Sequence, residues 1–173
     1  MQNLKPLSKK SIPAALDKAL RYRLLNEPVE AESICQDVLL ADPLNEQALT
    51  TMVLALTDLF ESEYVAAFQR AKALLPRLAS DYDRAYYEGI IYERWAKAEL
   101  ARQVPGHVAT GWFLEALRSF ERAEALAPPD NPDAILRWNT CARLVARYEQ
   151  GESAGESMSR HMEVEFSDET PTA

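Results

Sequence analysis

The chain has 173 residues, 47% of them hydrophobic and 27% charged, which is one domain's worth of an ordinary globular composition. It holds no run of about 18 apolar residues, which excludes a helix that spans a membrane. The formal net charge of −8 is uneven: residues 149–173 carry seven acids and one base, whereas the other 148 residues hold 20 acids and 18 bases, and an acidic tail on a near-neutral body argues against nucleic acid as the main partner.

Residues 1–11 are polar and expected to be flexible. Their basic residues have no apolar stretch behind them, so no secretory signal is expected and the chain reads as cytoplasmic. A first helix is predicted over 12–25, with Pro13 in its opening turn and Leu16, Leu20 and Leu24 in a line. Asn26-Glu27-Pro28 breaks it, and a second helix over 29–41 ends at Asp42-Pro43. Asn45 suits the N-cap of a third helix, which reaches about residue 59 behind a broad apolar face of Ala48, Leu49, Met52, Val53, Leu56 and Leu59. A fourth, over 63–75, stops at Pro76. The fifth starts near Asp81, carries Tyr86, Gly89, Tyr92 and Trp95, and meets no breaker before Pro105-Gly106. That allows about twenty residues, roughly 30 Å of helix.

A loop is expected over 103–111, then a sixth helix over 112–127 closed by Pro128. A last helix, 133–150, has no partner and resembles the cap that a stacked array needs. Gly151 is expected to end it, and 151–173 read as an acidic, disordered tail. Within that tail Met162-Glu163-Val164-Glu165-Phe166 alternates apolar and acidic residues, as a segment that binds in extended form does. Such a segment suits docking in a groove, its own or a neighbour's.

One frame recurs through these helices. Ala116, Phe120, Ala123 and Pro128 are separated by four, three and five positions, which puts the first three on one helical face and a breaker after them. Ala31, Cys35, Val38 and Pro43 repeat the spacing, and so do Tyr64, Phe68, Ala71 and Pro76. The closing prolines Pro43 and Pro76 lie 33 residues apart, close to the roughly 34 of a helix–turn–helix repeat.

These residues resemble the tetratricopeptide repeat family over about residues 12–150. The family's Gly-x2-Tyr element is matched by Gly89 and Tyr92, and its Ala-x3-Phe element by Ala116 and Phe120, followed by Ala123 and Pro128. Tyr22 fills the tyrosine place of the first unit, with Ala19 where the glycine would be. Met52 and Ala55 stand in those two places of the second unit. Trp138, Cys141 and Ala142 match the start of a fourth. The resemblance implies an all-α fold: antiparallel helix hairpins stacked as a short right-handed superhelix, three units plus a capping helix.

It further implies a concave surface lined by the first helix of each pair. The positions it places there are Leu16, Leu20, Arg23, Leu49, Val53, Leu56, Tyr86, Ile90, Glu93 and Arg94, with Asn139 and Arg143 if the cap continues the array. As a set these suit an apolar peptide or helix more than an acidic C-terminus. The plainer reading is that many of the apolar ones pack on one another.

Catalytic chemistry finds little support. His107 and His161 have no Cys or Asp at a spacing that builds a nucleophilic pair, and no phosphate loop or zinc pattern is present. Cys35 and Cys141 sit on apolar helical faces and read as buried small hydrophobes. The expectation is therefore a non-enzymatic scaffold or chaperone-like adaptor with no cofactor and no metal. It would bind another protein or peptide, and neither nucleic acid nor membrane. The alternative is a self-associating subunit of a homo-oligomer that buries the groove or an exposed surface around Trp95 and Trp112.

Overall fold

The structure, a computed structural model, describes the backbone of residues 3–166 and the side chains of residues 3–149. Every regular element among them is helical: α1 (Ile12–Leu24), α2 (Pro28–Ala41), α3 (Glu46–Asp58), α4 (Tyr64–Leu74), α5 (Asp81–Ala101), α6 (Gly106–Leu126) and α7 (Asp133–Phe166). Short 3-10 turns at Lys9–Ser11 and Leu75–Arg77 lead into α1 and out of α4.

Local chemistry sets most of the boundaries. Pro13 and Pro28 stand in the first turns of α1 and α2, where a missing N–H costs nothing. Asn45 caps α3, its Oδ1 accepting from the Ala48 N–H at 3.0 Å, and the Ser80 hydroxyl caps α5 by accepting from the Asp83 N–H at 3.2 Å. Asn26 makes the sharp turn between α1 and α2 at φ 60°, a left-handed conformation that asparagine tolerates.

Two boundaries differ from the expectation. The stretch expected as a loop over 103–111 is mostly helix, because α6 begins at Gly106 and only residues 102–105 connect it to α5. Pro105 stands just ahead of the first turn, and burial of Ala109, and of Phe113 against α5, outweighs the low helix propensity of Gly106 and Gly111. The extra length of this unit therefore lies in two 21-residue helices rather than in a loop. At the other end α7 passes Gly151 and continues to Phe166. What Met162, Val164 and Phe166 touch lies outside the described side chains, and 167–173 lie outside the described residues altogether.

Each helix packs on the next, and in addition α1 packs on α3 and α3 on α5. Contacts along each pair fix the directions. Leu16 meets Val38 while Ala19 meets Ala31 and Cys35, so α1 and α2 run antiparallel. Ala85 packs with Ala123 and Tyr92 stacks on Trp112 at 5.7 Å, so α5 and α6 do too. The largest apolar cluster lies among α3, α4 and α5, and a second, containing Phe113, Phe120, Cys141 and Val145, joins α5, α6 and α7.

An aromatic seam ties these clusters together. Phe68 of α4 lies 4.4 Å from Trp95 and 5.9 Å from Trp112, centroid to centroid, and Tyr64 stacks on Trp95 at 4.5 Å. Trp95 is only 6% exposed and Trp112 is half-buried, which corrects the expectation of an exposed surface around these two residues. Their rings fill the space between α4, α5 and α6.

Candidate functional site

The positions that the resemblance assigned to a groove separate into two groups. Leu16, Leu49, Val53, Leu56, Ile90 and Glu93 are buried and offer no surface to a partner. Helices α1, α3 and α5 pack on neighbours at both sides, so an apolar line along them faces the interior. Arg23, Tyr86, Arg94 and Asn139 are half-buried, and Leu20 and Arg143 are exposed. Tyr86 is held by rings, 5.7 Å from Tyr82 and 5.9 Å from Phe120.

Three of the twelve, Arg23, Glu93 and Arg94, do come together. They meet residues that sequence reasoning did not single out: Thr57, Asp58, Lys97 and Arg137. Asp58 is the last residue of α3, where the helix dipole disfavours an anion. Two guanidinium groups offset that cost. Arg23 Nε of α1 donates to Asp58 Oδ2 at 2.8 Å, and Arg94 Nη1 of α5 donates to Asp58 Oδ1. Arg94 also donates to the Thr57 hydroxyl at 3.0 Å, which in turn donates to the Leu54 carbonyl at 2.7 Å.

One turn away lies a second shared carboxylate. The Glu93 side chain has no exposed surface, and an isolated charge there would cost several kcal/mol of desolvation. Lys97 Nζ donates to its Oε1 at 2.5 Å, and Arg137 Nη1 of α7 reaches its two oxygens at 3.3 and 3.4 Å. Burial alone would pull the Arg137 guanidinium below its ordinary pKa, but Glu93, Tyr86 and Cys141 together outweigh it and the net direction is upward.

These groups surround a recess of about 400 Å³, lined by Asn26, Thr57, Asp58, Phe60, Glu61, Arg94, Lys97, Ala98 and Arg137. The lining carries three cations (Arg94, Lys97, Arg137) and two acids (Asp58, Glu61), with Arg23 and Glu93 paired behind it, so the recess is net cationic by one charge on a body that is net negative. Asp58 and Glu93 are each shared between two cations. An arginine has five N–H donors, and Arg94 spends only Nη1 here, so it keeps donors for a further anion.

A larger cleft of about 610 Å³ lies between the 3-10 turn after α4, α5 and α6, but its charges are matched, Arg84 to Asp81 and Arg122 to Glu88. Among the described residues no three His, Cys, Asp or Glu side chains are grouped to hold a metal ion. His107 is exposed on the first turn of α6. Burial pushes the thiols of Cys35 and Cys141 up to about 12. No helix of the described residues is long and apolar enough to cross a membrane. No family model matches the chain, and no curated protein or solved structure compared with it gives a match.

Proposed function

We propose that the chain is a tetratricopeptide-like array that acts as a non-catalytic interaction module, and that it takes a polypeptide segment with acidic side chains in the recess between α1, α3, α5 and α7. The repeat register, the alternating directions of consecutive helices and the α1–α3 and α3–α5 contacts support the stacked-hairpin reading. The observation that carries the function is one open recess that takes its cations from two helices distant in sequence, Arg94 and Lys97 from α5 and Arg137 from α7. An apolar ligand loses support, because the leucines and valines that would grip it are buried in the core.

Binding of this kind is electrostatically steered. Half-exposed cations raise the encounter rate with an acidic segment, and salt within a Debye length of about 8–10 Å weakens it. Affinity capture with mass spectrometry, comparing wild type with Arg94→Ala, tests the proposal. A protein retained by wild type and lost from the variant supports it, and an identical set of captured proteins contradicts it.

Self-association has a different surface in its favour. Leu24 is 88% exposed and Leu25 61% exposed at the end of α1, next to Leu20. A dimer by light scattering that Leu24→Glu dissolves would support that reading instead.

A further inference from the structure

We infer that the array associates head to tail: the outer face of α7 in one copy docks on the free outer face of α1 and α2 in a second copy. This stands apart from the recess and from the segment proposed to bind there. The two ends of the stack differ. At one end α7 covers α5 and α6. At the other, α1 and α2 have each other and α3 as their substantial helix neighbours among the described residues. A stacked array needs a polar cap at such an end. Here the end holds a slot of about 250 Å³ walled by Leu7, Ala14, Ala15 and Ile34, with Lys18 and Asp37 as its charged lining.

The slot continues along both helices. Ala14, Lys18, Arg21 and Leu25 stand at i, i+4, i+7 and i+11 from α1 into its C-cap, and all four are exposed. Glu30, Ile34 and Asp37 stand at i, i+4 and i+7 on α2. The outer face of α7 repeats the first spacing: Leu136, Thr140, Arg143 and Arg147 are all exposed, and Ile135 beside them is 43% exposed.

Charge decides which surface fits this slot. Glu30, Asp37, Arg143 and Arg147 make no ion pair with any described residue. No acid stands between Asp133 and Glu149 on α7, whereas the slot side of α2 carries two. At about 1.5 Å per residue Glu30 and Asp37 are roughly 10 Å apart and Arg143 and Arg147 roughly 6 Å, a difference that long flexible side chains span. Two unpaired acids flanking Ile34 therefore meet two unpaired guanidinium groups that follow Leu136. Lys18 and Arg21 hold those guanidinium groups to the α2 side, since like charges oppose the reverse placement.

The two faces are different, so the contact is heterologous and does not close at two copies. A single helix laid in one groove buries less than the roughly 1,200 Å² of a standard interface, so association is weak.

Light scattering on the full chain tests this. At low salt the wild type is expected to grow past the dimer as its concentration approaches about 1 mM, the scale of a weak contact. It should return to monomer in about 0.5 M NaCl, where the Debye length is roughly 4–5 Å. Glu30→Lys/Asp37→Lys reverses one face and Arg143→Glu/Arg147→Glu the other, so each variant alone should stay monomeric with an unchanged urea midpoint. Their equimolar mixture should associate again, because each altered face then finds its complement. A wild type that stays monomeric, leaving the slot to another protein, overturns the inference, and so does a mixture that stays monomeric. A dimer that Leu24→Glu dissolves while Asp37→Lys leaves it intact would assign self-association to the Leu24 surface and overturn it too.

Discussion

Gly89 lies flat against the ring of Phe120, so close that a Cβ at position 89 would stand 2.5 Å from Cε1 and 2.6 Å from Cδ1 of that ring. The ring is fully buried between α5, α6 and α7 and has no room to withdraw. Gly89→Ala is expected to destabilise the fold by about 1–3 kcal/mol, the usual range for overpacking. Phe120→Ala should cost about 3–5 kcal/mol as a cavity mutation. The two should not add, because removing the ring also removes the clash. Urea denaturation of the three variants checks this, and a neutral Gly89→Ala would mean that the helices are not in contact there.

Glu93 offers a second test, because its charge is buried while both of its partners reach solvent. Arg137→Ala leaves the carboxylate with Lys97 alone, and a loss of about 1–3 kcal/mol is expected. Glu93→Met removes the buried charge and keeps the volume, while Lys97 and Arg137 turn to water. It should cost less than Arg137→Ala. The reverse order in thermal or urea melts would contradict this description of the pair.

The two thiols should be chemically silent in the folded chain. Burial holds each up to about 12, so almost no thiolate exists at pH 8. A disulfide reagent at pH 8 should modify Cys35 and Cys141 only after denaturant is added. Rapid reaction of the native protein would show that one of them is accessible.

A pH window follows from the bridge that links α4, α5 and α6. Burial alone would raise the Glu88 carboxyl, but Lys72 and Arg122 outweigh it and leave it below its ordinary 4.5. Burial alone would lower Lys72, but its bonds to Glu88 and Tyr92 leave it above 10.5. A depressed carboxylate stabilises the fold above 4.5 and loses that contribution as pH falls through its folded value. A raised ammonium stabilises below 10.5 and loses it as pH rises through its folded value. Stability measured against pH should therefore fall off on both sides of that window. Glu88→Gln should flatten the acid side, and an unchanged acid limb would contradict the pairing.

The helices were largely legible, because Pro28, Pro43, Asn45 and Pro76 punctuate them locally and the apolar spacing between is strict. Pro105-Gly106 misled: it reads as a breaker, yet proline also suits the entrance to a helix. Gly111 misled in the same direction, although a Cβ there would meet nothing within 4 Å and the glycine has no packing role. The site was legible only in part. Leu49 and Leu56 look like a groove in a pattern that marks a helical face but not which neighbour covers it. Asp58 and Arg94 are 36 positions apart, with no local signal to join them. Register was the one clue. Counted from the tyrosine places Tyr22, Ala55 and Tyr92, Arg23 is one position on, Arg94 two, Asp58 three and Lys97 five, all in the C-terminal halves of α1, α3 and α5.

The most direct measurement is a backbone NMR titration of the full chain with a short Glu-rich peptide and with its Lys-rich counterpart. The expected result is a set of shifts confined to Thr57–Glu61, Arg94–Ala98 and the first turns of α7, produced by the acidic peptide alone and suppressed by salt. Shifts centred on the cleft between Leu75 and Arg122, equal response to the basic peptide, or no response at low salt would contradict a cationic recess that recognises acidic polypeptide.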